Sequence, residues 1–69
     1  MARLTPRERE VLQLMASGLS NNQIAEQMYL SQAAVGKHVA NVFLKLDLPP
    51  SEENRRVRAV LTWLQHSET

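Results

Sequence analysis

Apolar side chains recur in four groups along the chain, each at the three- and four-residue spacing of a helix that buries one face. Val11, Leu12, Leu14 and Met15 form the first group. Ahead of them, Thr5-Pro6-Arg7-Glu8 combines a capping hydroxyl, a proline at the first helical position and a glutamate able to bond back to the cap. Gly18 supplies the left-handed residue that commonly ends a helix, so the pattern predicts a helix over about 6–17. Ser20-Asn21-Asn22-Gln23 repeats the capping pattern, and Ile24, Ala25 and Met28 give a short second helix its stripe, over about 21–28. After a turn at Tyr29 and Leu30, Ser31 caps a third helix over about 32–46, with Val35, Val39, Val42 and Leu46 on one face. Leu48-Pro49-Pro50-Ser51 interrupts it. Ser51 then caps a fourth helix over about 52–66, with Glu52 and Glu53 at its positive end and Val57, Val60, Leu61 and Leu64 expected to pack inward.

Composition narrows the class. A chain of 69 residues, 43% of them hydrophobic, closes one modest core, so one domain over 1–69 is expected. Few glycines, few aromatic residues and prolines outside the periodic stretches favour an all-α fold, a compact four-helix bundle. The absence of cysteine excludes a disulfide framework and a thiolate metal site. Apolar runs are far shorter than the ~20 residues that span a bilayer, and Met1 to Pro6 does not read as a signal peptide, so a cytoplasmic protein with no membrane partner is expected. His38 and His66 fall on different helices, and the carboxylates do not complete a zinc or general-base spacing. Catalytic residues, metal ligands and cofactors are therefore not expected.

Charge matters through its distribution. The formal net charge is only +1, but Lys37, His38 and Lys45 share a stretch without an acid from Gln27 to Leu46, leaving room for a local basic surface. A short helix, a tight turn and a longer capped helix form the arrangement that projects one helix into a DNA major groove, although many helical bundles share the spacing without touching nucleic acid.

Particular residues sharpen this. Leu4-Thr5-Pro6-Arg7-Glu8-Arg9-Glu10-Val11-Leu12, Gly18-Leu19-Ser20-Asn21 with Ile24-Ala25, then Ser31, Val35, His38, Val42, Lys45-Leu46 and Arg56 with Ala59-Val60, fall in one order and spacing over nearly the whole chain. In these residues the chain resembles the LuxR (GerE-like, NarL/FixJ-like) family. The resemblance implies a helix-turn-helix built from the second and third helices, a fourth helix that supports dimer contacts, and double-stranded promoter DNA as partner. It further implies the C-terminal effector piece of a response regulator or signal-binding regulator, with a receiver or signal-binding domain N-terminal to it, or a free-standing short regulator. Several positions depart from the family pattern: Gly36 stands where lysine is usual, Ala34 where threonine is, Asn22 and Gln23 where lysine and glutamate are common, and Asp47 where glycine often follows the third helix.

Within that frame Ala33, Gly36, Lys37, Ala40 and Asn41 project away from the apolar stripe of the third helix and are the groove-facing candidates. Lys37 suits guanine acceptors or a phosphate, or is an ordinary solvated lysine. Gln32 and Asn41 suit base edges or backbone, and Ala33 and Ala40 suit thymine methyl groups. Gly36 either allows closer approach to DNA or is a cost that the core tolerates. Asn21, Asn22 and Gln23 are candidates for phosphate contact through side chains or helix-start amides. The family-pattern residues Ser31, His38, Lys45 and Arg56 complete the DNA-binding set, while Arg55 and Arg58, with Glu52 and Glu53 near, lean toward surface ion pairs. Ala59 and Trp63 lie beside the main stripe of the fourth helix and, with Val60, are the candidate dimer interface. Against promoter recognition by a homodimer on DNA stands a second reading: a module that pairs with a receiver domain or another regulator without binding DNA.

Overall fold

The computed structural model describes residues 3–50 and 54–67. Four helices follow in order: α1 (Pro6–Ala16), α2 (Asn21–Met28), α3 (Gln32–Lys45) and α4 (Arg55–Ser67), with no strand among the described residues. The fold is all-α, as the pattern predicts. Each of the first three helices starts on a hydroxyl. Thr5 Oγ1 accepts from the Glu8 N–H at 3.2 Å, Ser20 Oγ from the Gln23 N–H at 3.2 Å and Ser31 Oγ from the Ala34 N–H at 3.1 Å. At α1 and α2 the third helical residue returns the bond: Glu8 Oε1 accepts from the Thr5 N–H at 3.0 Å and Gln23 Oε1 from the Ser20 N–H at 2.9 Å. Two otherwise orphaned helix-start donors are thereby satisfied at each end.

The same three helices also finish alike. Gly18, Tyr29 and Asp47 have φ of 92°, 57° and 60°, and the leucine after each donates its N–H back across the helix end: Leu19 to Leu14 O, Leu30 to Ala25 O and Leu48 to Phe43 O. This closure satisfies terminal carbonyls and turns the chain. It also drives Leu19, Leu30 and Leu48 against the core, where all three are partly buried. One local device, a left-handed residue followed by leucine, thus sets each turn and adds to the core.

That core is shared by all four helices. Val11, Leu12, Ile24, Val35 and Val42 are fully buried, each contributing roughly 1.5–3 kcal/mol relative to exposure. Leu4, Met15, Ala25, Met28, Val39, Phe43 and Ala59 surround them. α1 lies at the centre, packed by α3 and by α4, while α2 packs chiefly on α3. The radius of gyration, 11.2 Å, is that of a compact chain of this length.

α4 corrects two expectations. It begins at Arg55, immediately after left-handed Asn54, and not near residue 52; the expected cap at Ser51 and the acids Glu52 and Glu53 lie outside the described residues. Its inward face is also different. Ala59 is fully buried, and Val60 and Trp63 pack against the core, whereas Val57, Leu61 and Leu64 are about half exposed, at 55%, 48% and 45%. Val57, Leu61 and Leu64 are left outward because Ala59, Val60 and Trp63 are the residues seated on the core.

Candidate nucleic-acid interface

The α2–turn–α3 unit defines the surface of interest. Residues 29–31 separate the two helices, and the buried face of α3, Val35, Val39, Val42 and Phe43, fastens it to the core. The opposite face is left outward: Ala33, Lys37 and Ala40 are exposed, and Gly36 and Asn41 half-buried beside them. Lys37 is the charged side chain of this row. Further along it Leu44 is 72% exposed, a large apolar group that sequence reasoning missed because its place off the core stripe carried no separate signal. Leu44 borders a shallow apolar groove with Ala40, Leu48, Pro49 and Pro50.

At Gly36 a Cβ would meet no atom within 4 Å. Nothing inside the protomer therefore demands glycine there, unlike Gly18 with its positive φ.

The beginnings of α2 and α3 meet in front of the row. Gln32, the first residue of α3, donates from Nε2 to Asn22 Oδ1 at 2.7 Å, and both side chains are exposed. Other sequence-predicted site residues are committed to the fold. Gln23 and Ser31 use an oxygen each as a helix cap, although both remain exposed. Arg56 is partly buried: Nη1 donates to Asn21 Oδ1 at 2.8 Å and Nη2 to Leu19 O at 2.7 Å. Its guanidinium ties α4 to the start of α2, using both Asn21 and Arg56 for support. His38 is half-buried near the core side of α3.

Lys45 points away from the outward row. Its Nζ lies 2.6 Å from Glu8 Oε1, with the Glu8 side chain 5% exposed. Burial opposes ionisation of that carboxyl, but the Lys45 ammonium, the Thr5 N–H and the Thr5 side chain outweigh it and hold its pKa below the ordinary 4.5. The pair joins the first turn of α1 to the last turn of α3 across 37 positions. No local spacing links those residues, which is why sequence reasoning gave Glu8 only a capping role and placed Lys45 in the DNA-binding set. Arg55 likewise sits over the Phe43 ring, 4.8 Å from its centroid.

The three predicted interface residues of α4 differ in exposure. Ala59 has none to offer, and Val60 and Trp63 lean on the core. The exposed apolar row is Val57, Leu61 and Leu64, at spacings of four and three. Among the described residues no group of three or more His, Cys, Asp or Glu is arranged to hold a metal ion, and no helix is long and apolar enough to cross a membrane.

A two-helix unit with a three-residue turn, carried on two supporting helices, is the helix-turn-helix class. Residues 2–53 match the family model described as bacterial regulatory proteins, luxR family. The chain belongs to that family. It is 45% identical over 58 residues to the transcriptional regulatory protein DegU of Brevibacillus brevis, covering 84% of this chain and 22% of that protein. Identity to the nitrate/nitrite response regulator protein homolog of Haemophilus influenzae is 47% over 45 residues, covering 65% of this chain and 22% of that protein. The probable HTH-type transcriptional regulator GfsR of Streptomyces halstedii is 36% identical over 63 residues, covering 91% of this chain and 24% of that protein. The chain thus spans less than a quarter of the length of each of these relatives.

Proposed function

We propose that this chain is the DNA-binding effector domain of a bacterial-type transcriptional regulator acting in the cytoplasm, with α3 inserted in the major groove of promoter DNA. The observation that carries this reading is the outward row of a firmly capped α3: small Ala33, Gly36 and Ala40 allow close approach, while Lys37 and Asn41 offer donors to base edges or phosphates. Asn22 and Gln32 flank it, and Gln23, Ser31 and His38 lie near enough on the same two helices to touch the sugar-phosphate backbone. Asn21, Lys45 and Arg56 act from behind, holding α2 and α3 at their angle. Two copies pair through Val57, Leu61 and Leu64 of α4 and set two α3 helices on half-sites about 10 base pairs apart. The relatives named as regulators support a whole protein that carries a receiver or signal-binding domain before this one.

The test is selection of genomic DNA fragments by the chain and by its Lys37→Glu variant at several salt concentrations. A two-part motif bound with steep salt dependence and abolished by Lys37→Glu is the expected result. The exposed α4 row also suits a second reading, a module that pairs with a receiver domain or another regulator without touching DNA. Absence of any enriched motif, with tight binding of such a partner, would decide for it.

A further inference from the structure

The hydrogen bond between Gln32 and Asn22 joins two amides across the turn of the helix-turn-helix. Both ends of the link are anchored. Asn22 lies in the first turn of α2, whose Ile24, Ala25 and Met28 are buried, and Gln32 follows the Ser31 cap at the start of α3. A glutamine amide has one acceptor oxygen and two N–H donors. Giving Asn22 Oδ1 the Nε2 hydrogen that is anti to Oε1 leaves Oε1 and the syn hydrogen side by side for a further partner, and the bond restricts a side chain that otherwise carries much rotamer entropy.

We infer that Gln32 reads the major-groove edge of an adenine and that Asn22 is the positioning residue that holds its amide for that contact. The inference rests on the DNA-binding reading above and assigns the base that one position of the site prefers. Adenine presents the N6 donor beside the N7 acceptor, complementary to Oε1 and the remaining N–H of Gln32. Guanine presents acceptors at both N7 and O6, so Oε1 meets an acceptor there in either orientation of the amide. Gln32 adjoins Ala33, so the adenine belongs at the edge of each half-site nearest the start of α3.

The test is selection from a randomised double-stranded DNA pool by the 69-residue chain and its variants. The wild type is expected to recover adenine at one position of each half-site. Gln32→Ala flattens that position and leaves the rest of the motif intact. Asn22→Ala weakens the preference, and in the Gln32→Ala background it changes nothing further there. Replacing that adenine by 7-deazaadenine weakens binding of the wild type roughly tenfold and that of Gln32→Ala not at all. An unchanged adenine preference in Gln32→Ala, or indifference of the wild type to 7-deazaadenine, overturns this inference while DNA binding stands. An unchanged preference in Asn22→Ala removes the positioning role. Failure of the wild type to enrich any motif overturns the DNA-binding reading and this inference with it.

Discussion

α1, α2 and α3 each start on a serine or threonine cap and finish on a left-handed residue followed by a partly buried leucine. α4 follows the Pro49-Pro50 segment and left-handed Asn54, and is seated by Ala59 against the core and by Arg56 against α2. The first three helices are defined by neighbours in the chain, the fourth by groups more than thirty positions away. The difference teaches where periodicity can mislead. On α3 the apolar stripe and the buried face share Val35, Val39 and Val42. On α4 the stripe of Val57, Leu61 and Leu64 is left half exposed, because Ala59, Val60 and Trp63 take the side against the core.

The largest expected effect comes from the ion pair that links α1 to α3 across the locally defined region. Lys45→Met leaves the Glu8 carboxylate buried without its cation and is expected to cost about 3 kcal/mol in urea unfolding at neutral pH. The folded-state pKa of Glu8 is lowered from 4.5, so its stabilisation is complete above that value and is lost as pH falls through the lower folded-state value. Wild-type stability should therefore drop on acidification, while the deficit of Lys45→Met shrinks as its Glu8 takes up a proton. A deficit independent of pH would mean that the lysine acts through its packing alone.

Register of α4 is the next way to break the comparison. Ala59→Leu overfills the α1–α4 contact and is expected to cost about 2 kcal/mol, read as a lowered thermal midpoint. Gly18→Ala should cost about 1 kcal/mol, because an L side chain at φ 92° is strained even in open space. The same substitution at Gly36 should have the opposite sign, a gain of about 0.5–1 kcal/mol, since a helix-interior alanine there meets nothing. The smallest effect is expected for Leu61→Ala, within about 0.5 kcal/mol in the monomer. If Leu61→Ala proves costlier than Ala59→Leu, α4 packs on its apolar stripe after all.

Much of the outward row was legible in advance. Once Val35, Val39 and Val42 are placed inward at 100° per residue, Ala33, Lys37 and Ala40 have nowhere to go but out. Leu44 lies further along the same row, off the core stripe, and carried no signal of its own. Lys45 and Arg56 were less legible for a different reason: basic character suggests a phosphate, whereas within the fold Lys45 meets the buried Glu8 carboxylate and Arg56 the Leu19 carbonyl.

By itself the sequence determined the four helices, the caps of the first three and the turns between them, because each rests on residues within a few positions of one another, and it determined the family through the order of such local motifs along the chain. Only the tertiary structure decided which side of α4 is inside, that Glu8 pairs with Lys45, that Arg56 braces Asn21 and Leu19, and that Asn22 and Gln32 meet. Those contacts join separate helices. Their distances depend on how closely the backbones pack, and that is set by the volume of buried side chains such as Ala59, which no local spacing encodes.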